Sequence, residues 1–85
     1  MSAITLCDKT DLRILRAVAN NQEDGIHAAN PSQVRRTLWE LDGETYCHHL
    51  GRLIGLGLVA ESVSGTTWHL WLTTAAWNVL SDDDG

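Results

Sequence analysis

The chain is short of positive charge, of cysteine and of long apolar runs, and each shortage narrows what it can be. Only one of its six basic residues is a lysine, against eleven acidic ones, which leaves a net charge of −5 and a pI near 5.1. Scarce lysine, an acidic surface and the closing run Asp82, Asp83, Asp84 are what a salt-rich cytoplasm favours, because hydrated carboxylates keep a protein soluble there. A halophilic source is the expectation. Cys7 and Cys47 have no paired spacing of the kind a zinc site needs, and free thiols are expected in a reducing compartment. No apolar run approaches the ~20 residues that span a bilayer, and the first residues lack the basic flank and long apolar stretch of a signal peptide. A cytoplasmic protein that does not engage a membrane is expected.

Catalytic signatures are missing too. There is no phosphate-cradling glycine loop and no Ser-His-Asp order around a nucleophile elbow. Asp8, Asp11 and Asp82 to Asp84 are better read as helix caps and a tail than as acid/base pairs. The expectation is no enzyme, no cofactor and no small-molecule ligand. Cys47-His48-His49 invites a metal-sensor reading. Adjacent helical residues diverge by roughly 100°, however, so the three cannot chelate one ion, and no metal site is expected.

What remains is 85 residues, 44% of them apolar, enough for one modest core. Its stability margin should be small, so a dimer partner would add useful burial. Residues 1–8 read as an N-terminal arm, 9–81 as the domain and 82–85 as an acidic tail. Asp8 and Thr10 are alternative N-caps for a first helix over 9–21, with Asp11 in its first turn and Leu12, Leu15, Val18 and Ala19 at helical spacing. Arg13 and Arg16 fall off that face as solvated residues, and the polar run 20–25 stops the helix. A very short strand over 26–29 precedes a strong helix start: Asn30 at the N-cap, Pro31 at the first helical position and Gln33 as a capping-box variant. Val34, Leu38 and Leu41 make the buried stripe of that second helix.

The centre of the chain is the stretch 43–59. Tyr46, Leu50, Leu53 and Ile54 fall on one side of a third helix over 44–56, and Glu44, Thr45, His48, Arg52 and Gly55 on the other. Gly57 supplies the positive φ that ends it. Two short helices joined through a glycine-containing turn match a helix-turn-helix. Residues 58–63 and 68–73 then read as two strands, with a tip over 62–67. Trp68, Leu70 and Leu72 lie on one face, His69 and Trp71 on the other. Thr73 or Thr74 caps a last short helix carrying Ala76, Trp77 and Leu80.

This order resembles a winged helix-turn-helix domain: an α+β fold with a three-helix core, a two-stranded β-hairpin wing and a short C-terminal helix. Leu50-x-x-Leu53-x-x-x-Gly57-Leu58-Val59 looks like the end of the reading helix in MarR- and ArsR-type regulators. Leu70-Trp71-Leu72-Thr73-Thr74-Ala75 is similar to their second wing strand and the Leu-Thr that follows it. Small haloarchaeal phage-repressor-like regulators are the group most similar to this chain. The resemblance implies a homodimeric repressor or regulator on double-stranded DNA, with Thr45, His48 and Arg52 facing the major groove and Ser64 to Thr66 beside the minor groove. The wing tip here carries no Arg or Lys, unlike many of those families.

The side chains suit such a role. Arg52 can donate twice to guanine O6 and N7, a contact worth roughly 1–3 kcal/mol of discrimination. Thr45 and His48 can reach bases or phosphates. Glu44 can accept from cytosine N4, or serve only as a charge at the helix N-terminus. Arg35, Arg36, Ser64 and Thr66 are candidates for backbone contacts, with a solvated face as the plainer alternative for the arginines. Gly51 and Gly55 each cost about 1 kcal/mol against Ala inside a helix, a cost that close approach of DNA or of another chain would explain, with tolerated drift as the plainer alternative. Trp71, Trp77 and Leu80 are the candidate dimer interface, although Trp77 can instead pack on the first helix. An acidic balance, a neutral wing and Trp71 together support an alternative: a winged-helix module that binds protein and never touches DNA.

Overall fold

Asp8 begins the fold by capping α1 (Lys9–Asn21). Its carboxylate accepts from Asp11 N at 2.9 Å while its own amide donates to Asp11 Oδ2 at 3.1 Å, a reciprocal capping box that leaves Thr10 inside the first turn. The computed structural model describes residues 8–22 and 28–84, so Cys7, the arm before it and Ile26-His27 lie outside the described residues.

The buried face of α1 is Asp11, Ile14, Leu15, Ala17, Val18 and, at the C-cap, Gln22. Leu12 and Ala19, expected on that stripe, are only half-buried at its margins. The shift has a simple cause: both ends of the buried face are polar, and apolar spacing alone cannot see them. Gln22 is 4% exposed, and its Oε1 accepts the backbone N–H of Leu72 at 2.9 Å. Arg13 is not simply solvated; it forms an ion pair with Glu40.

Pro31 opens α2 (Pro31–Thr37), with Asn30 Oδ1 accepting from Ser32 N at 2.9 Å rather than from Gln33. Val34 and Leu38 are buried and Leu41 is partly so. Asp42 caps α3 (Gly43–Gly55), accepting Thr45 N at 2.7 Å and the Thr45 hydroxyl at 3.0 Å. Tyr46, Leu50 and Leu53 are buried and Ile54 half-buried. Gly57 has φ +77°, and Leu58 N–H to Leu53 O with Gly57 N–H to Ile54 O completes a Schellman stop. Leu58 and Leu53 are both buried, as that motif favours.

The hairpin pairs β1 (Val59–Ser64) with β2 (Thr67–Leu72) in antiparallel register, Val59 opposite Leu72 and Ser64 opposite Thr67. Its loop is therefore only Gly65-Thr66, and φ +60° at Gly65 makes it a type II′ turn. The broader tip expected over 62–67 is corrected by this pairing. Val59, Glu61 and Val63 share one face with Leu72, Leu70 and Trp68. That face is buried at the base and open at the tip, where Val63 is 69% and Trp68 41% exposed.

The other edge of β2 meets Ala29, which exchanges two backbone hydrogen bonds with Leu70 at 2.6 and 3.0 Å. The expected short strand is, among the described residues, this single bridge. Thr73 links hairpin to helix: its hydroxyl donates to Gly57 O at 2.7 Å and takes the Ala76 amide at 3.4 Å. In α4 (Thr74–Asp84) the buried residues are Ala76, Val79 and Leu80, at i, i+3 and i+4. Trp77 falls off that stripe. The helix runs through Asp84, so the acidic residues from 82 to 84 are its last turn rather than a separate tail.

Helix α1 packs against α2, α3, β2 and α4. The molecule is an α+β unit of four helices and a two-stranded antiparallel hairpin among the described residues, a layout compatible with a winged helix. No described helix is long and apolar enough to cross a membrane.

Candidate functional site

The outer face of α3 carries Glu44, Cys47, His48, Gly51 and Gly55, all exposed, with Arg52 at its far end. Glu44, Thr45, His48 and His49 line a shallow cleft of about 330 Å³. The face is bare where its glycines lie. A Cβ built on Gly51 or Gly55 meets nothing within 4 Å, so no internal packing explains either glycine.

Two of the expected reading residues are already engaged inside the protein. The Thr45 hydroxyl belongs to the Asp42 cap. That pair of hydrogen bonds, the Thr45 amide first and its hydroxyl second, holds the Asp42 carboxyl below the usual aspartate range. Arg52 Nη1 donates to Asp11 Oδ2 at 2.9 Å, and His49 Nδ1 lies 2.7 Å from Asp11 Oδ1. A carboxylate facing an arginine only accepts, so His49 carries its hydrogen on Nδ1. Asp11 is wholly buried, and its carboxylate joins α1 to two successive turns of α3.

Asp8, Asp11 and His49 bring ligand-type atoms within 4.8 Å of one another. Their geometry is that of a hydrogen-bonded ion network. Asp8 Oδ1 is committed to the Asp11 amide, and the Arg52 guanidinium already supplies the positive charge beside Asp11.

Arg35 and Arg36, paired in the sequence as candidate clamps, part company. Arg35 turns inward, with Nη1 donating to Leu38 O and Nη2 to Leu41 O, both at 2.8 Å, and its guanidinium lies 5.2 Å from the Tyr46 ring centroid. It staples the turn between α2 and α3 instead of pointing at a phosphate. Arg36 is exposed and has no ion-pair or hydrogen-bond partner among the described residues. At the hairpin tip Thr66 is exposed, and Ser64 ends β1.

The three proposed interface residues also separate. Leu80 is 7% exposed and belongs to the core, because it follows Ala76 at i+4 on the buried stripe of α4. Trp71 is half-buried. Trp77 is 37% exposed and borders a cleft of about 380 Å³ with Arg16, Ala19 and Asn20 of α1. Tyr46 was visible in the sequence only as a core residue. Burial pushes its phenol above the usual range, with Cys47 adding to the effect and Arg35 opposing it. Its hydroxyl is buried with no hydrogen-bond partner among the described residues. A tyrosine at a stripe position, whose hydroxyl wants a partner once buried, was the available signal.

No family model and no curated protein matches this chain. Among solved structures it is similar to the Rio2 kinase–ADP/Mg²⁺–phosphoaspartate complex from Chaetomium thermophilum, with a TM-score of 0.82 and 16% sequence identity. The match covers 96% of this chain and 24% of the kinase, so the chain corresponds to about a quarter of that protein's length. At that identity the likeness concerns the fold alone.

Proposed function

We propose that the chain is a winged helix-turn-helix regulator, with α1 to α3 as its three-helix core. In this reading it binds double-stranded DNA sequence-specifically as a homodimer, acts as a repressor, and sets α3 in the major groove. The observation that carries the reading is the outer face of α3, where Gly51 and Gly55 leave open space beside the exposed His48 and Glu44. Glycine costs helix stability, and a DNA backbone drawn close to the helix gives that cost a use. The Arg35 staple supports it by fixing the turn that aims α3.

Roles then fall to His48 and Glu44 as base-edge readers and Arg36 and Thr66 as backbone contacts. Arg52 adds a cation anchored by Asp11 at the end of the face. Phosphate contacts lose about 0.9 in log K per contact for each unit of log salt, so in a salt-rich cell sparse basic charge costs such a protein little. Trp77, with Trp71, is the proposed dimer contact. A protein-binding module is the second reading, favoured by the net charge of −5 and by the exposed Trp77.

The test is duplex binding to the protein's own upstream DNA and to scrambled duplex, across low to molar KCl, for wild type, His48→Ala and Gly51→Ala. The expected outcome is a wild-type preference for the upstream DNA that fades in both variants. Gly51→Ala should meanwhile gain about 0.5–1 kcal/mol of stability, since a methyl there meets nothing and removes glycine's entropic cost. A folded wild type with no preference at any salt overturns the proposal.

A further inference from the structure

A groove of about 650 Å³ lies away from the outer face of α3, with Arg35, Arg36, Trp39, Tyr46 and Trp68 among its lining. Trp39, on the turn after α2, is 79% exposed, and Trp68, on β2, is 41% exposed. Trp68 does not swing freely: its indole N–H donates to Glu61 Oε2 at 3.0 Å, across the same face of the hairpin. Both charged residues of the lining are arginines, although the chain as a whole carries −5. The one apolar lining residue that is not aromatic is Pro31.

These walls select an occupant. Aromatic walls also receive proline-rich peptides, and what favours an anionic occupant over them is that the charged lining residues are arginines in a chain of net charge −5. Indole faces and guanidinium planes suit flat π-systems joined to negative charge. Bases inside a duplex have their faces covered by their neighbours; an unpaired strand and a free nucleotide both offer the two features, and a pair of tryptophans from different elements fits two bases of one strand.

We propose that this groove binds single-stranded nucleic acid, one base stacking on Trp39 and a second on Trp68, with Arg36 paired to the connecting phosphate. Tyr46, 6% exposed, forms part of the groove's lining, with its hydroxyl buried away from the seated strand. This site shares Arg36 with the proposed duplex contacts but uses none of the reading residues of α3, so the Trp39 variants test it without touching the duplex reading.

The experiment is fluorescence anisotropy of a labelled oligothymidylate strand with wild type, Trp39→Ala, Trp39→Phe and Arg36→Gln over a range of KCl. Trp39→Ala should weaken binding roughly 5- to 150-fold, the loss expected for one base–aromatic stack, and Trp39→Phe should restore most of it. Arg36→Gln should reduce the slope of log K against log salt by about 0.7. Trp39 is so exposed that its replacement leaves the fold intact, which circular dichroism verifies. His48→Ala, which tests the α3 reading, should leave strand binding unchanged. No strand binding at low salt overturns the proposal, as does binding indifferent to Trp39→Ala. Preference for polyglutamate over the oligonucleotide assigns the groove to an acidic protein partner and overturns it equally.

Discussion

Removing the Asp11 carboxylate should cost the domain a large part of its stability. Asp11 is wholly buried and accepts from His49 at 2.7 Å, Arg52 at 2.9 Å and the Asp8 amide at 3.1 Å. Hydrogen bonds to charged groups contribute roughly 1.5–3 kcal/mol each and do not add independently. Breaking a buried ion pair from one side costs about 3–5 kcal/mol, because the stranded partner stays buried. For Asp11→Ala the cost should sit near the lower end, about 3 kcal/mol, since the Arg52 side chain is 39% exposed and can rehydrate. Domains of this size hold roughly 4–13 kcal/mol in total, so a quarter or more is at stake. At about 4–8 °C per kcal/mol the melting temperature should fall by roughly 12–24 °C. The reverse truncation, Arg52→Ala, strands a carboxylate with no exposure at all and should cost at least as much. The double variant should cost clearly less than the two singles together, with a coupling of about 1 kcal/mol or more. Urea unfolding followed by circular dichroism, at unchanged m-value, measures all three. A loss below about 1 kcal/mol for Asp11→Ala, or simple additivity, would refute the network as a structural lock. Arg52→Ala is therefore a poor probe of DNA reading, because it unsettles the helix it is meant to interrogate.

Other outcomes follow from single contacts. Gln22→Ala leaves the Leu72 amide without its acceptor and should cost about 1–3 kcal/mol, read as a lower urea midpoint. The lowered pKa of Asp42 means that its contribution is present above the unfolded aspartate value of about 3.9 and is lost as pH falls through the folded value. The protection of the Thr45 amide relative to its intrinsic exchange rate should therefore fall in acid in wild type, and be low at every pH in Asp42→Ala. Tyr46 has the opposite sign: its raised phenol keeps its full contribution below about pH 10 and loses it as pH rises through the folded value. Tyr46→Phe removes a buried hydroxyl that has no partner, so it should match or exceed wild-type stability and flatten the alkaline limb; a clear destabilisation would show that the hydroxyl is satisfied in solution.

Elements with chemical punctuation were legible before any coordinates. Asp8, Asn30 and Gly57 mark helix ends through side-chain acceptors or positive φ, which are local matters, and α1 and the stop of α3 fall where those residues put them. The strands are legible too, but sequence alone makes the tip too wide, because Ser62 and Ser64 look like turn residues while being paired in the ladder. What stayed hidden depends on partners distant in sequence. Asp11 reads as a first-turn charge until Arg52 and His49, 41 and 38 residues away, are seen to meet it. Arg35 reads as a surface cation until the carbonyls of Leu38 and Leu41 appear at its two nitrogens. On α4 Ala76 and Leu80 are buried as their spacing implies, while the place the bulk of Trp77 suggests for it is taken by Val79.

The Gln22 carboxamide has one more effect, on how molecules of this chain meet each other. Strand β2 has β1 along one side; on the other, Ala29 covers Leu70 and Gln22 covers Leu72. An open strand edge with the sequence Leu70-Trp71-Leu72 is a template on which a neighbouring molecule can lay a strand of its own. A side-chain amide placed there imitates one position of the missing strand, so that at Leu70 and at the Leu72 amide the edge that would otherwise recruit a stranger is already satisfied from within.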